Sequence, residues 1–175
     1  MIKRILLFIV VVAAVVLIYA AFKPSDFSVR RTITIQASAE KIFPYINDFH
    51  NWAAWSPYDK LDPDMKKIIS GPPSGKGAIY EWEGNGKAGQ GSMEILESVP
   101  SSKVAIKLDF SKPLEGHDHT EFILQPNGNA TNVTWAMSGP LNYPGKVMST
   151  FFSMDKMVGN DFDKGLANLK TVAEK

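Results

Sequence analysis

The segment that decides the fold is KVAIKLDF (103–110), SKPLEG (111–116), HDHTEFILQ (117–125), PNGN (126–129) and ATNVTWAMS (130–138). Three stretches of similar length alternate apolar and polar side chains, the period of a strand with one face buried. The two breaks between them are rich in Pro, Gly, Asn and Ser, which are turn formers. Three strands in hairpin succession therefore form an antiparallel meander. Alternation places Val104, Ile106, Leu108 and Phe110 on one face, as it does Thr120, Phe122 and Leu124, and Val133, Trp135 and Met137.

The same pattern extends toward the amino terminus. Met65–Ser70, Ala78–Glu83 and Ala88–Ser98 read as strands separated by Gly71–Gly75 and Gly84–Lys87, with Tyr80 and Trp82, then Met93 and Ile95, pointing inward. Phe27–Ile35 alternates as well, with Phe27, Val29, Ile33 and Ile35 on one face and Arg31 a charged intruder among them. Between this first strand and the meander, Ser38 stands where it can cap a helix through Ile42, Phe43 and Ile46. Pro44 removes a backbone donor from that helix and should kink or shorten it. A second short helical stretch runs from Asp48 to Ala54. At the other end, Val147, Phe151, Met154, Val158, Phe162, Leu166, Leu169 and Ala173 recur at spacings of three and four. That stripe predicts one long helix over 145–173. Gly159 and Gly165 interrupt it, which implies a bend or the close approach of a neighbour. A curved antiparallel sheet of about seven strands gripping a carboxy-terminal helix lets each bury its one apolar face.

The first residues break this pattern. Ile5–Phe22 is 18 residues without a charge, 13 of them Ile, Leu, Val or Phe, preceded by Lys3 and Arg4. At about 1.5 Å per residue such a helix nearly spans a hydrocarbon core of roughly 30 Å. A cleaved signal peptide ordinarily has a shorter apolar run and a small residue three positions before the cut. Here Ile18 or Tyr19 occupies that position. The expectation is a single-pass anchor over 1–23 followed by one domain over 24–175. Lys3 and Arg4 favour a cytoplasmic amino terminus with the domain on the non-cytoplasmic side, although Lys23, Arg30 and Arg31 on the other flank oppose it.

A domain of that length buries roughly 70% of its unfolded surface and needs neither disulfide nor metal to fold. The chain has no cysteine, and its 19 basic and 18 acidic residues give a net charge of +1. The absence of cysteine excludes thiolate metal sites and cysteine nucleophiles. The even charge argues against a nucleic-acid partner.

Several local signatures join the order of elements in pointing to a known superfamily. They are Ile46-Asn47-Asp48-Phe49, Trp52-Ala53-Ala54-Trp55-Ser56-Pro57, Leu61-Asp62-Pro63, Met154-Asp155-Lys156-Met157 and Asp161-Phe162. Over residues 27–173 the chain resembles the START-like (SRPBCC) superfamily, which includes polyketide cyclase-like and lipid-transport proteins. Tyr58 departs mildly, standing where such proteins often carry another aromatic. The resemblance implies an α+β helix-grip (START/Bet v 1-like) fold with an apolar cavity between sheet and last helix. Candidate ligand-binding side chains are the inward-facing Tyr80, Trp82, Met93, Ile106, Leu108 and Phe110, followed by Phe122, Trp135 and Met137. Phe43 and Trp55 from the short helices, and Phe151, Met154 and Val158 from the last one, complete the set. Large, adaptable side chains suit such a cavity, and they equally suit a close-packed core.

Other motifs dissolve when their spacing is considered. His117 and His119 share a strand face with Glu121, but His117 and Glu121 lie about 13 Å apart, too far to hold one ion. Gly84-Asn85-Gly86-Lys87-Ala88-Gly89 matches a dinucleotide fingerprint, yet a strand follows it where a helix is required. Inward parity supplies only Asp118, Glu97 and Arg31 as ionisable groups, all near strand ends, and His50 reads as a surface or capping residue. No catalytic constellation, metal site or cofactor is expected. The leading expectation is a membrane-tethered binder of a lipid or other hydrophobic small molecule, with no protein partner specified. The alternatives are a cyclase- or dehydratase-like enzyme with a polar group deep in the cavity, and an interaction or stress-related adaptor with a filled core.

Overall fold

The charged intruder in the first strand turns out to join the two layers of the fold. In the computed structural model, which describes residues 1–175, β1 spans Asp26–Ile35 and pairs antiparallel with β7, Ala130–Pro140. Along β1, Val29 and Ile35 are buried and Phe27 and Ile33 partly so, as alternation requires. Arg31 shares their face and reaches the last helix, α4 (Met154–Ala173). Its guanidinium donates to both carboxylate oxygens of Asp155, at 2.7 and 3.0 Å, and to Asp163 at 3.1 Å. Asp155, Gly159 and Asp163 lie four residues apart on one helix face. A Cβ on Gly159 would run into the guanidinium, so the glycine lets the arginine lie flat across the helix between its two acids.

Hydrogen bonding from Arg31 holds the Asp155 carboxyl below its ordinary value, its Coulombic attraction adding to the effect. A depressed folded-state value stabilises the fold above the unfolded carboxylate's value, about 3.9, and the gain is lost as pH falls through the folded one. Asp155→Asn is therefore expected to lower the thermal midpoint at neutral pH. The gap to the parent protein should close toward pH 2, in midpoints measured across that acid range.

The remaining strands come in hairpin succession. They are β2 (Lys66–Ser70), β3 (Ile79–Glu83), β4 (Gln90–Val99), β5 (Lys103–Lys112) and β6 (Gly116–Asn127). The seven-stranded sheet has the order β1-β7-β6-β5-β4-β3-β2, and every neighbouring pair is antiparallel. The β4–β5 register slips twice, between Gln90 and Gly91 and again between Ile95 and Glu97, where Leu96 is the extra residue. The extra residue inverts the parity of the rest of the strand, since a one-residue slip exchanges the two faces. Glu97 is consequently exposed and paired with Lys103 at 2.8 Å, where unbroken alternation predicts it inward. Ser98 takes the inward place and donates to Asn47 at 2.7 Å.

α2 (Ala39–Asn47) contains Pro44 and stops after nine residues. Ser38 occupies its N-cap position, but its hydroxyl makes no bond to the helix backbone. A 3-10 turn, Phe49–Ala54, comes next, capped by the Asp48 side chain accepting from the His50 amide. The expected single helix over 145–173 is instead two, α3 (Tyr143–Phe151) and α4. Phe152 and Ser153 between them are extended, and Ser153 accepts from the Lys156 amide to cap α4. A serine hydroxyl competes for backbone donors and favours a cap over a helix interior. The apolar spacing runs through the break because α3 and α4 each carry their own stripe. α4 presses Phe162, Leu166, Leu169 and Ala173 onto the sheet, whereas α3 has no fully buried residue.

α1 (Ile2–Ala21) stands apart from this core, and Ala20 is its one buried residue. It is long and apolar enough to cross a membrane, a property that secretory signal sequences share. The whole is an α+β helix-grip fold with an amino-terminal apolar helix added.

Candidate functional site

The inner face of the sheet and α4 do not close on one another along their full length. From Phe162 onward along α4 they are in contact. The Trp135 and Phe162 rings stack at 3.9 Å, with 9° between their planes, and Phe122 stacks on the other side of Trp135 at 4.9 Å. Trp55 packs edge-on against both Phe122 and Trp135. Gly165 permits this, because a Cβ there would lie 2.7 Å from the Trp135 ring and 3.1 Å from Pro57.

Toward the amino-terminal half of α4 the layers separate around a cavity of about 320 Å3, with 15 of its 20 lining residues hydrophobic. The sheet contributes Tyr80, Trp82, Met93, Leu108 and Phe110, then Thr120, Trp135 and Met137. Trp82 lies across its cross-strand partner Gly91, donates to the Ala88 carbonyl at 3.0 Å, and meets Phe110 edge-on. α4 contributes Met157, Val158, Asp161 and Phe162. Trp52, Ser56, Tyr58, Asp59, Leu61 and Met65 close one side, and Lys87 and Ala88 of the β3–β4 turn another.

The polar groups of this lining are mostly committed to one another. The Tyr80 hydroxyl donates to Asp59 at 3.0 Å, whose other oxygen pairs with Lys67 at 2.9 Å. Thr120 donates to the Ala136 carbonyl and accepts from the Trp135 indole. The Tyr58 hydroxyl makes no hydrogen bond within the chain. Burial, assisted by the nearby Asp161 charge, raises its pKa well above the ordinary phenol value. Tyr58 thus remains protonated and can donate to a polar group of a ligand or accept from one. Tyr80 is raised likewise, by burial first and Asp59 second.

The structure separates the sequence-derived candidates into three places. Tyr80, Trp82, Met93, Leu108, Phe110, Trp135, Met137 and Val158 line the cavity. Trp55, Ile106 and Phe122 are fully buried beneath it. Phe43 and Met154 pack against the edge of the core, and Phe151, at the end of α3, is 65% exposed. Met157 and Phe162 were within reach of the helical stripe, and Thr120 within reach of strand parity. The Tyr58–Met65 segment has no periodicity, so no sequence signal marks it as a wall. The histidines lie elsewhere: His117 and His119 are exposed on the outer face, His117 bonded to Asp109 at 2.7 Å. Gly84–Gly89 forms the β3–β4 turn, closed by the Gly84 amide donating to the Gly89 carbonyl.

Asp118 is the one carboxylate whose pKa is raised, to about 6, chiefly because the sheet partly buries it; neighbouring His117 opposes the shift. It sits beside Gly139 at the strand end, outside the cavity lining. A raised acid is a liability to the fold. The penalty grows as pH rises from the unfolded value near 4 to the folded one and is constant above it. Asp118→Asn is expected to stabilise the protein at pH 8 by about 1 kcal/mol, after discounting for solvent access, and to have no effect below about pH 4. Urea unfolding at the two pH values provides the measurement.

An antiparallel sheet gripping a helix, with an apolar cavity where the two part, defines a helix-grip domain of the START-like class. Residues 26–174 match the family described as polyketide cyclase / dehydrase and lipid transport, and the chain belongs to that family. A search of curated proteins finds no match. Among solved structures, protein CV1439 from Chromobacterium violaceum is similar with a TM-score of 0.61 and 15% identity, over 85% of this chain and 97% of that one. The Aha1 dimer from Colwellia psychrerythraea gives 0.60 and 19%, over 85% and 96%. DynU16, a protein of the dynemicin biosynthetic locus, gives 0.59 and 16%, over 85% of this chain and 47% of that one. At such identities the likeness is one of fold.

Proposed function

We propose that this protein holds a compact apolar molecule, a lipid chain or another hydrophobic small molecule, in the cavity between the sheet and α4, with α1 tethering it to a membrane. The observation that carries the reading is the cavity itself, set between the inner face of the sheet and α4 and lined by 15 hydrophobic residues of 20. The family's description, which includes lipid transport, is consistent with it. A volume of about 320 Å3 lies at the lower end of the roughly 300–1,000 Å3 typical of small-molecule sites. That size favours one acyl chain or a compact ring system over a whole two-chain lipid. The Tyr58 hydroxyl, free of partners within the chain, would orient the ligand's polar end.

The cavity favours this reading over an adaptor with a filled core. An enzymatic reading finds less support, because the Asp59 carboxylate is already engaged by Tyr80 and Lys67. For the tether, Lys3 and Arg4 before the apolar run favour a cytoplasmic amino terminus and a domain on the far side. Protease added outside intact cells or spheroplasts should then degrade the domain; full protection would reverse the orientation.

Native mass spectrometry of the full chain released from lipid nanodiscs tests the binding. The parent protein should retain a bound apolar mass. Val158→Trp, which fills the cavity from the α4 side, should lose it while keeping its far-ultraviolet circular dichroism. A parent protein that releases empty, and takes up no fluorescent fatty acid, would sink the reading.

A further inference from the structure

Both the placement and the composition of α3 set it apart from the rest of the domain. Tyr143, Met148 and Phe151 on α3 are 47%, 41% and 65% exposed, and Phe152 just after it is 59% exposed. From Gly139 to Met154 the sequence contains no acidic residue and a single lysine, Lys146. Scattered surface apolar residues are ordinary, but a contiguous set on one helix marks an interaction surface.

The neighbour of α3 is α1. The Tyr143 hydroxyl donates to the Leu17 carbonyl at 2.9 Å, and the Lys23 ammonium donates to the Ser149 carbonyl at 2.6 Å. Leu17 lies four residues before the end of α1 at Ala21, so the Tyr143 phenol reaches about 6 Å below that end. If α1 crosses the bilayer, this is the depth of the headgroup and acyl boundary, where amphipathic helices lie and tyrosine and tryptophan gather. Tyr19, with the Lys23 ammonium 5.7 Å from its ring centre, occupies the same level.

Beyond α3, Phe151 and Phe152 rim a surface groove together with Lys156, Met157, Asp161 and Lys164. Met157 and Asp161 also line the cavity. The groove thus starts where α3 ends and shares two wall residues with the cavity. The lysines on its rim suit the anionic headgroups of a bilayer surface.

We propose that α3 and the Phe151-Phe152 pair are embedded in the bilayer interface beside the α1 span, so that the cavity opens at Met157 onto the membrane surface. This rests on reading α1 as the tether. The absence of cysteine makes a direct test possible on the full chain. Single cysteines replacing Leu7, Phe152 and Asn129 are labelled with an environment-sensitive fluorophore in vesicles of phosphatidylcholine and phosphatidylglycerol. Quenching by nitroxide-bearing lipids is then compared with quenching by aqueous iodide. The exposure of Phe152 and Asn129 keeps the fold unaffected by the labels, which circular dichroism checks.

The expected result is lipid quenching at Leu7 and at Phe152, the latter about threefold above Asn129 and strongest with shallow nitroxides. If Leu7 is quenched by lipid and Phe152 only by iodide, the interfacial role of α3 is overturned while the tether stands. If Leu7 itself is quenched by iodide, the tether fails and this proposal with it. Ligand binding in the cavity is decided separately, by the mass measurement.

Discussion

Replacing Trp135 by Ala should cost about 4 kcal/mol of stability, the middle of the range for removing a buried aromatic. Trp135 is 3% exposed and stacked between Phe162 and Phe122, with Trp55 edge-on to it. It is therefore the point where the sheet, the 3-10 segment and α4 meet. The lost contacts cannot be recovered by collapse, because the rings around it are locked against one another. Its indole donates to Thr120, which keeps its bond to Ala136, so no buried hydroxyl is orphaned and the cost is one of packing. Since Trp135 also forms part of the cavity floor, the variant should enlarge the cavity and accept a bulkier apolar probe. Urea unfolding of the full chain in detergent measures the first effect, as a lowered midpoint with unchanged slope. A loss below about 2 kcal/mol would mean that the ring stack does not carry the packing described.

The second large effect is expected from the opposite change, adding bulk at Gly165. A Cβ there already meets the Trp135 ring at 2.7 Å and Pro57 at 3.1 Å. Both neighbours are rigid, one an aromatic plane and the other a proline ring. Gly165→Val adds two further carbons and should destabilise by about 3 kcal/mol. The overpacking outweighs the gain of less than 1 kcal/mol from removing a helical glycine. Because the obstruction is Trp135 itself, the two substitutions should couple. The double variant W135A/G165V is expected to be more stable than the sum of the single losses by at least about 1 kcal/mol. Strict additivity in that cycle would show that the two residues are not in contact.

These variants bear on how much of the molecule could be read in advance. Strand alternation identified all seven strands and their hairpin order, and placed Arg31 on the inner face of β1. It could not show what met the arginine. Asp155, Gly159 and Asp163 form a receptor only once α4 crosses β1; the glycine implies a bend or a close approach, but nothing in the helical spacing names Arg31 as the neighbour. Glu97 illustrates the limit from the other side. Parity counts correctly until a single extra residue enters the strand, and a bulge leaves no periodic signal of its own.

The cavity divides in the same way. Eight of the candidate side chains line it because they belong to strand faces and to one helical stripe, which hydrophobic periodicity reports. Trp55, Ile106 and Phe122 share that periodicity but lie in the core, since the pattern tells which side a residue faces and nothing of how far the opposite layer stands. Tyr58, Asp59, Leu61 and Met65 come from a non-repetitive segment and carry no pattern at all. The break at Phe152-Ser153 was hidden because apolar spacing continues across two extended residues as it would across a helix.

By itself, then, the sequence determined an apolar amino-terminal helix, an antiparallel meander and a carboxy-terminal helix packed on its inner face. Local periodicity, turn chemistry and the run of uncharged residues are properties of neighbours in the chain. Only the tertiary structure decided where sheet and helix touch and where they part, and which of the large apolar side chains face the gap. It alone set α3 beside α1. Those outcomes depend on distances between residues more than a hundred positions apart, such as Arg31 to Asp155 and Tyr143 to Leu17, and no local pattern encodes them.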